Sequence, residues 1–313
     1  MISLGQHPAP SHVIAHVSDT HLLGGGRLLY DTVETEVHLR AALAQLEHLG
    51  TKPNAIVFTG DLADLGEPDA YARLKAIVEP AAAKLGASII WVMGNHDDRG
   101  EFSSQLLGEE ASQKPQDRVY DVDGLRVISL DTSVPGFHHG ALTGGQLEWL
   151  AAELATPAEH GTLLALHHPP LPTPMLWAME MLELHDQARL AAVLTGTDVR
   201  GILGGHLHYT THGSFAGIPV SVAAATCYTI NGTVKDRLLS GSDANQAINM
   251  VHVYDDNVVH TVVPIGVDAE ITSIPSNYIE LVESLTFEQR LAIFSDKESK
   301  FNRGLFDPAN PTA

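Results

Sequence analysis

The sequence has little of three features that would each indicate a particular class of protein. Its single cysteine, Cys227, cannot form a disulfide within the chain, so nothing indicates an oxidising compartment. Lysine and arginine number 18 against 38 acidic residues, and the resulting charge of −20 repels nucleic-acid backbones and anionic lipid surfaces. The long uncharged stretch 213–234 contains Pro219 and Asn231, so two strands and a turn explain it better than a membrane span. The first residues do not resemble a secretory signal. We therefore expect a cytoplasmic protein with no nucleic-acid partner and no stable membrane insertion.

Histidine, in contrast, is abundant. The chain has 18 histidines, as many as its lysines and arginines together. Histidine is the commonest metal ligand and the usual acid or base near neutral pH. Hydrophobic residues make up 44% of the chain and charged residues 18%, which is the balance of a folded globular protein. The composition therefore indicates a folded protein with metal chemistry.

Short apolar runs alternate with segments of helical apolar spacing. The runs at 13–17, 55–59 and 88–93 predict buried strands, and the stretches between them predict helices. This order predicts a parallel sheet covered by helices. Asp123-Gly124 is typical of a hairpin turn between two strands. The alternation of strands and helices then repeats less regularly, and its strands predict a second sheet. No linker or break in composition divides residues 13–264, so we expect one domain over residues 1–265.

The character of the chain changes after Ile265, where Asp, Glu, Ser and Pro become frequent. We expect a C-terminal tail over residues 266–313, with one helix opened by a capping box of Thr286 and Gln289. The last residues, Asp307–Ala313, are expected to be disordered. The sequence leaves open whether this tail packs on the domain, joins a partner or stays mobile.

Five short polar clusters each follow an apolar run, and ligands of open α/β sheets bind beyond the carboxyl ends of the strands. An isolated Asp or His in that place is usually a cap or a satisfied hydrogen-bonding group, but five such clusters together are a strong signal. Residues two apart on extended chain point the same way, so an Asp-x-His or His-x-His pair can hold a metal ion from one side. The clusters are Asp19-Thr20-His21, Gly60-Asp61, Gly94-Asn95-His96-Asp97, His167-His168-Pro169-Pro170 and Gly205-His206-Leu207-His208.

In this order the clusters resemble the five motifs of the calcineurin-like metallophosphoesterases. The segments at 60–64, 131–136 and 205–209, with the sequences GDLAD, DTSVPG and GHLHY, resemble in particular the mycobacterial class III cyclic nucleotide phosphodiesterases. The resemblance covers residues 13–265. It implies an α/β fold of the two-sheet αββα sandwich type, with a metal site at the carboxyl ends of the strands.

The resemblance also implies two divalent or trivalent metal ions held by seven residues. Asp61 would bridge them, because ions about 3.5 to 4 Å apart need a shared carboxylate to offset their repulsion. Nitrogen and oxygen ligands without thiolate suit Fe or Mn, with Zn as a further choice. A hydroxide between the ions would attack phosphorus in line. The two ligand sets are Asp19, His21, Asp61 and His208 for one ion, and Asp61, Asn95, His167 and His206 for the other.

His96 follows a ligand but does not bind metal in the family. Its expected role is catalytic, either to protonate the leaving oxygen or to stabilise the developing charge. His138 lies in a loop after the strand that ends at Asp131, where it either touches substrate or faces solvent. The residues that we expect to contact the substrate are His21, Asp61, Asn95, His96 and His208, with His138 as a further candidate.

Four neighbours of these residues are expected to play supporting roles. Asp64 follows the bridging position and is expected to orient a ligand. His168 is expected to support the site or to pack. Asp97 and Asp98 are expected to cap the next helix.

The leading functional prediction is a metal-dependent phosphodiesterase that hydrolyses 3′,5′-cyclic nucleotides, cyclic AMP first, to 5′-monophosphates. The acidic chain favours a small substrate, because a nuclease of the same superfamily would need a basic groove. A phosphomonoesterase or protein phosphatase on the same scaffold is the alternative. A non-catalytic scaffold protein is a weaker one, since the ligand positions and His96 are intact. The oligomeric state is open, with a homodimer as one candidate.

Overall fold

The apolar runs form strands in the computed structural model of the chain, which describes residues 5–266 and 271–305. These residues contain thirteen strands, numbered here in chain order. Their bounds are β1 His12–Val17, β2 Ala55–Thr59, β3 Ser88–Val92, β4 Arg118–Val122, β5 Leu125–Leu130, β6 Thr162–Leu166, β7 Val199–Gly204, β8 Thr211–Phe215, β9 Ile218–Val222, β10 Thr229–Ile230, β11 Gly241–Ser242, β12 Ala247–Val253 and β13 Val258–Pro264.

Seven α-helical segments occur in the described part of the chain. The longest begins at Pro68, where a proline costs no helical hydrogen bond, and ends before Gly86, whose φ of 73° suits a left-handed cap. The bounds are α1 Thr35–His48, α2 Pro68–Leu85, α3 Arg99–Glu101, α4 Gly144–Glu153, α5 Gln187–Leu194, α6 Asn277–Ser284 and α7 Phe287–Arg290.

The strands form two large sheets and a small ribbon, all within the unit Pro10–Gly266. The first sheet has the order β13-β12-β1-β2-β3, in which β1, β2 and β3 are parallel. The second has the order β4-β5-β6-β7-β9-β8, with β5, β6, β7 and β9 parallel and antiparallel strands at both edges. Parallel strands end at one edge of a sheet, so the polar clusters that follow them are gathered there.

Three hydrophobic layers hold the two sheets and their helices together. One layer packs α1 and α2 on the first sheet, through residues such as Leu39 and Tyr71. A second lies between the sheets and includes Ile14 and Leu163. The third packs α4 and α5 on the second sheet. This αββα sandwich confirms the fold that the sequence predicts.

The uncharged stretch 213–234 forms no membrane span. Its first part pairs β8 with β9 around a turn at Ala216-Gly217, where both residues have positive φ. The described residues contain no helix with the length and apolar character needed to cross a membrane. The apolar run continues to Ala225, but β9 ends at Val222 because the chain beyond Ala223 turns away to hydrogen-bond elsewhere. The amide of Thr226, for example, donates to the carbonyl of Ser18.

Residues 1–9 and 267–313 form a separate unit, of which 5–9 and 271–305 are described. The capping box of Thr286 and Gln289 is present and opens α7. The prediction of one helix in the tail is incomplete, because α6 precedes α7. Its start signal, the Pro275-Ser276 pair before an apolar Tyr-Ile-x-Leu-Val pattern, is present in the sequence. Asp307–Ala313 lie outside the described residues.

The layer between the sheets gives a stability prediction. Leu163 is fully buried there, so Leu163→Ala should lower the free energy of unfolding by about 2–5 kcal/mol through lost burial and a residual cavity. Val37→Ala, on a 53% exposed side chain of α1, should change it by less than about 0.5 kcal/mol. Urea denaturation of both variants measures the difference. Similar losses in the two would show that the layer does not carry this stability.

Candidate functional site

The five polar clusters meet at the carboxyl ends of the two parallel sets of strands. Asp19 and Asp61 follow β1 and β2, and the amide of Asp19 donates to the carbonyl of Gly60. His167 and His206 follow β6 and β7 in the second sheet. The amide of His206 donates to both carboxylate oxygens of Asp19, at 3.1 Å each. Because this contact joins the first sheet to the second, the site lies on the seam between them.

Asp19, His21, Asp61 and His208 bring one ligand atom each within 4.8 Å of one another. The Nε2 atoms of His21 and His208 are 3.2 Å apart. Nε2 of His208 is 3.4 Å from Oδ1 of Asp19, and Nε2 of His21 is 3.5 Å from Oδ2 of Asp61. Two ring nitrogens that face each other beside two carboxylates can share a cation, so this arrangement fits a metal ion.

The second predicted set contains buried atoms without hydrogen-bond partners. Oδ1 of Asn95 accepts no hydrogen bond among the described residues, and Nε2 of His167 makes none of good geometry. A buried polar atom left in that state costs about 1–3 kcal/mol, and a metal ion removes this cost. Nε2 of His167 also lies 3.2 Å from Oδ2 of Asp61. The same carboxylate oxygen therefore faces a histidine of each set, which is the position of a bridging ligand.

The outer nitrogens of three candidate ligand histidines are held by acceptors. Such contacts fix the orientation of the ring and leave its inner nitrogen for metal. Asp64 provides one of them, in line with its expected orienting role. The pairs are His21 Nδ1 with Asp64 Oδ1 at 2.9 Å, His167 Nδ1 with Thr59 O at 2.7 Å, and His208 Nδ1 with Tyr228 O at 3.0 Å.

The backbone of the site is strained. Among the described residues, eleven other than glycine have positive φ, and five of them are candidate ligands. Each costs about 1–2 kcal/mol relative to ordinary backbone, so this local geometry must be held by its surroundings. The packing around Gly205 shows how little space the surroundings leave, because a Cβ there would lie 2.0 Å from Oγ of Ser18. The five are Asp19, His21, Asp61, His206 and His208.

The electrostatics of the site favour positive charge. Burial opposes ionisation of Asp19, but the neighbouring His208 and His167 outweigh it and lower the pKa of Asp19 to about 2. Burial likewise opposes protonation of His167, but Asp61 outweighs it and raises the pKa of His167 to about 9. The carboxylates are therefore ionised and draw positive charge into a buried place. Metal ions would supply the same charge.

His96 and His138 lie on the open side of this cluster. Nδ1 of His96 contacts the carbonyl of Asp64 at 2.8 Å, and its side chain is 27% exposed. Its other nitrogen, Nε2, is therefore available to a ligand. Nδ1 of His138 accepts from Nδ2 of Asn95 at 2.9 Å, and the rings of His96 and His138 are 5.0 Å apart. The structure thus brings both candidates beside the predicted ligands.

His168 has both ring nitrogens engaged. Nδ1 lies 2.8 Å from Oγ1 of Thr132, and Nε2 lies 3.1 Å from the carbonyl oxygen of His138. The ring therefore ties the loop that carries His138 to the end of β6, as the expected supporting role requires.

Asp97 does not cap the next helix, which corrects one sequence expectation. Its carboxylate accepts from the amides of Leu62, Ala63 and Gly94, so it ties the Asp61 turn to the Asn95 turn. Asp98 does cap α3, as predicted, by accepting from the amide of Glu101 at 2.9 Å. Nothing in the local sequence distinguishes an Asp that binds the amides of two turns from one that caps a helix, so this role of Asp97 could not be predicted.

A buried hydrogen-bond chain beneath Asp19 was also not predicted. The carboxylate of Asp19 cannot donate, so Oγ of Ser18 donates to it at 2.5 Å. Ser18 has a single proton and therefore accepts from Oγ1 of Thr59 at 2.7 Å. Thr59 in turn accepts from Nε2 of His16 at 2.9 Å. Burial lowers the pKa of His16 to about 3, so the ring is neutral and its one proton points along the chain.

In the sequence, the hydrogen-bond chain is signalled only by one hydroxyl residue directly after β1 and another at the end of β2, each just before a polar cluster. The sequence shows Ser18 before Asp19 and Thr59 before Gly60-Asp61, but hydroxyl residues at strand ends are too common to be informative alone.

Comparison with known proteins agrees with this geometry. Residues 12–210, which include all five clusters, match the sequence profile of the calcineurin-like phosphoesterases. The chain belongs to this family.

Two relatives of this phosphoesterase are more than half identical to it over the aligned 261 residues. It is 58% identical over 261 residues to the cAMP/cGMP dual specificity phosphodiesterase MT0825 of Mycobacterium tuberculosis, covering 83% of this chain and 82% of the relative. It is 56% identical over 261 residues to a probable cyclic nucleotide phosphodiesterase of Rhodococcus erythropolis, covering 83% and 86%. A dimetal phosphatase from Danio rerio has the same fold, with a TM-score of 0.58 at 16% identity, covering 81% of this chain and 96% of that one.

The hydrogen-bond chain gives a prediction about metal affinity. Thr59→Val keeps the shape of the side chain but removes the hydroxyl, so Ser18 and His16 each lose a partner. We expect about a 10- to 100-fold loss in metal affinity, which is typical when the support of a ligand is removed. Thr59→Ser keeps the hydroxyl and should stay near wild type. Calorimetric titration with Mn²⁺ distinguishes them, and equal affinities in the two variants would contradict the role of the chain.

Proposed function

We propose that this phosphoesterase is a dinuclear-metal phosphodiesterase that hydrolyses 3′,5′-cyclic nucleotides, cyclic AMP first, to 5′-monophosphates. The observation that carries the proposal is the carboxylate of Asp61, whose Oδ2 lies 3.5 Å from His21 and 3.2 Å from His167. One carboxylate between two sets of donors is the arrangement that a two-ion site requires. The substrate class rests on the names of the two relatives that are more than half identical.

The residues that would hold the ions are the seven predicted ligands. Their donors are imidazole nitrogens and carboxylate or amide oxygens, which support Fe or Mn, with Zn as a further choice. When bound, two such ions polarise the phosphoryl oxygens and lower the pKa of water to about 7. The two sets share Asp61 and otherwise comprise Asp19, His21 and His208 on one side and Asn95, His167 and His206 on the other.

The chain's own groups complete the reaction. His138 sits against the side-chain amide of Asn95, where it can contact a phosphoryl oxygen of the substrate. His96 has its Nδ1 fixed by the carbonyl of Asp64, so the protonated ring presents Nε2–H to the substrate. The nucleophile is hydroxide, formed when a water molecule releases a proton to solvent. As the hydroxide oxygen bonds to phosphorus and the bond from phosphorus to the ribose 3′-oxygen breaks, His96 gives its Nε2 proton to the departing oxygen.

The relative rates of hydrolysis of a cyclic diester and of phosphomonoesters distinguish this proposal from the alternative, a phosphomonoesterase or protein phosphatase. Steady-state kinetics with cyclic AMP beside a panel of phosphomonoesters should give the higher kcat/KM for the cyclic diester, and the reverse order would favour the alternative. A homodimer and a cytoplasmic location stay predictions from the sequence.

The bridging role gives a prediction about Asp61. Asp61→Ala should abolish diester hydrolysis and reduce the bound metal below two ions per chain, because the repulsion between the ions is then uncompensated. Asp256→Ala, which removes an exposed carboxylate in a turn, should leave both unchanged. Elemental analysis and a cyclic AMP assay measure the two outcomes. Two retained ions in the Asp61 variant would refute the bridge.

The role of His96 is tested by the leaving group. His96→Ala should keep both ions and lose about 10² to 10⁴ in kcat with cyclic AMP, the usual contribution of general acid catalysis. An aryl phosphodiester should lose much less, because nitrophenolate leaves without a proton. Equal losses on the two substrates would assign His96 to charge stabilisation instead. Loss of an ion would make it a ligand or the support of one.

A further inference from the structure

A cleft of about 300 Å³ is lined by Tyr228, whose ring lies 4.5 Å from that of the candidate ligand His208. Tyr30 and Tyr228 provide its aromatic surface, and Val33, which is 7% exposed, also lines it. Thr32, Ser242 and Asp243 provide its polar edge. The mechanism proposed above makes no use of these residues.

A continuous series of rings joins the predicted ligands to this cleft. The rings of His21 and His208 are 5.0 Å apart, and those of His208 and Tyr228 are 4.5 Å apart. The ring of Tyr30 follows at 5.6 Å and nearly at a right angle, with an interplanar angle of 70°. The cleft therefore begins one side chain beyond a candidate ligand.

The two tyrosines are held differently. Tyr228 is fixed, since its carbonyl accepts from Nδ1 of His208 and Gly241 lies so close that a Cβ there would be 2.9 Å from the ring. Tyr30 is 65% exposed, and its hydroxyl lies 3.4 Å from that of Tyr228. An aromatic side chain left this exposed next to an active site offers a flat apolar surface that a ligand can cover.

The charge of the cleft indicates the kind of ligand. Among the described residues its lining includes the carboxylate of Asp243 and no lysine, arginine or histidine, so it does not suit a phosphate group. Oδ1 of Asp243 is held by Nε2 of Gln246 at 2.7 Å and lies 3.3 Å from Nε2 of His38. Its Oδ2 has no hydrogen-bond partner within the described parts of the chain. The cleft thus offers aromatic surface and an acceptor, which suit an uncharged flat ring that carries N–H groups.

We propose that this cleft binds the base of the cyclic nucleotide, which packs on Tyr30 and donates an N–H to Asp243. The proposal rests on the proposed function, because it takes the phosphate to lie between the two ligand sets. The phosphate ring of a 3′,5′-cyclic nucleotide is fused to the ribose, so the base is held one sugar away from phosphorus. The rings of Tyr228 and Tyr30 follow that of His208 at separations of 4.5 and 5.6 Å, and the base would lie along this series.

The chemistry of the cleft also implies how selective it is. Aromatic stacking accepts any base, since every base has a π-face. Asp243 can accept from the exocyclic amine of adenine and from the N1–H and N2–H groups of guanine. We therefore expect both cyclic purine nucleotides to use the cleft.

Two variants of Tyr30 and a substrate without a base test the proposal. Tyr30→Ala should raise the KM for cyclic AMP about tenfold with little change in kcat, because stacking on the base binds ground state and transition state alike. Tyr30→Phe keeps the ring and should stay within about twofold of wild type. The control substrate is 1-deoxyribose 3′,5′-cyclic phosphate, whose KM should be the same in all three proteins.

Two kinds of failure can be told apart. If the wild-type protein hydrolyses cyclic AMP and Tyr30→Ala either leaves its KM unchanged or raises both KM values equally, the base does not lie in the cleft. If the wild-type protein hydrolyses neither cyclic substrate but cleaves other phosphoesters, the proposed function itself is wrong. Circular dichroism and metal content, unchanged from wild type, exclude misfolding as the cause of a raised KM.

Discussion

The structure depends on placing the carboxylate of Asp61 where donors from two different sheets can share it. Asp61 belongs to the turn after β2, whereas His167 extends from β6 of the other sheet. Their contact at 3.2 Å requires the two sheets to end at the same level and the turns to pack without intervening side chains. Gly60 and Gly94 meet this need, because a Cβ on Gly94 would lie 2.1 Å from the amide nitrogen of Asp61. Asp97 then secures both turns through their amides.

This arrangement is costly for the polypeptide alone. Ionised carboxylates are buried with imidazole rings around them, and the backbone at several of these residues is left-handed. Such features persist only where the surrounding structure over-determines them. Here the surroundings are two sheets with three hydrophobic layers, so the stability of the sandwich supports a local geometry that is unfavourable by itself. Ions that bind only the folded state would return part of that free energy.

The parts of the molecule that follow from local sequence could be predicted. Apolar runs gave the strands, and the polar residues directly after them gave the clusters that meet at the seam. What could not be predicted depends on distant residues brought together by the fold. Asp97 accepts from an amide 35 positions away, and the cleft combines Tyr30 with Tyr228. The helix α6 is a different case, because its start signal is present but the composition of the tail obscures it.

Hydrogen bonds from backbone amides cross the seam between the two sheets and protect those amides from solvent. The amide of His206 donates to Asp19, and the amides of Thr226 and Cys227 donate to the carbonyls of Ser18 and Asp19. Each donor lies in the chain that leaves the second sheet, and each acceptor follows β1 of the first. These three amide protons are protected by contacts across the seam and exchange with solvent when those contacts open. Their exchange therefore reports on separation of the halves of the sandwich, whereas an amide within one sheet reports on the fraying of its own strands.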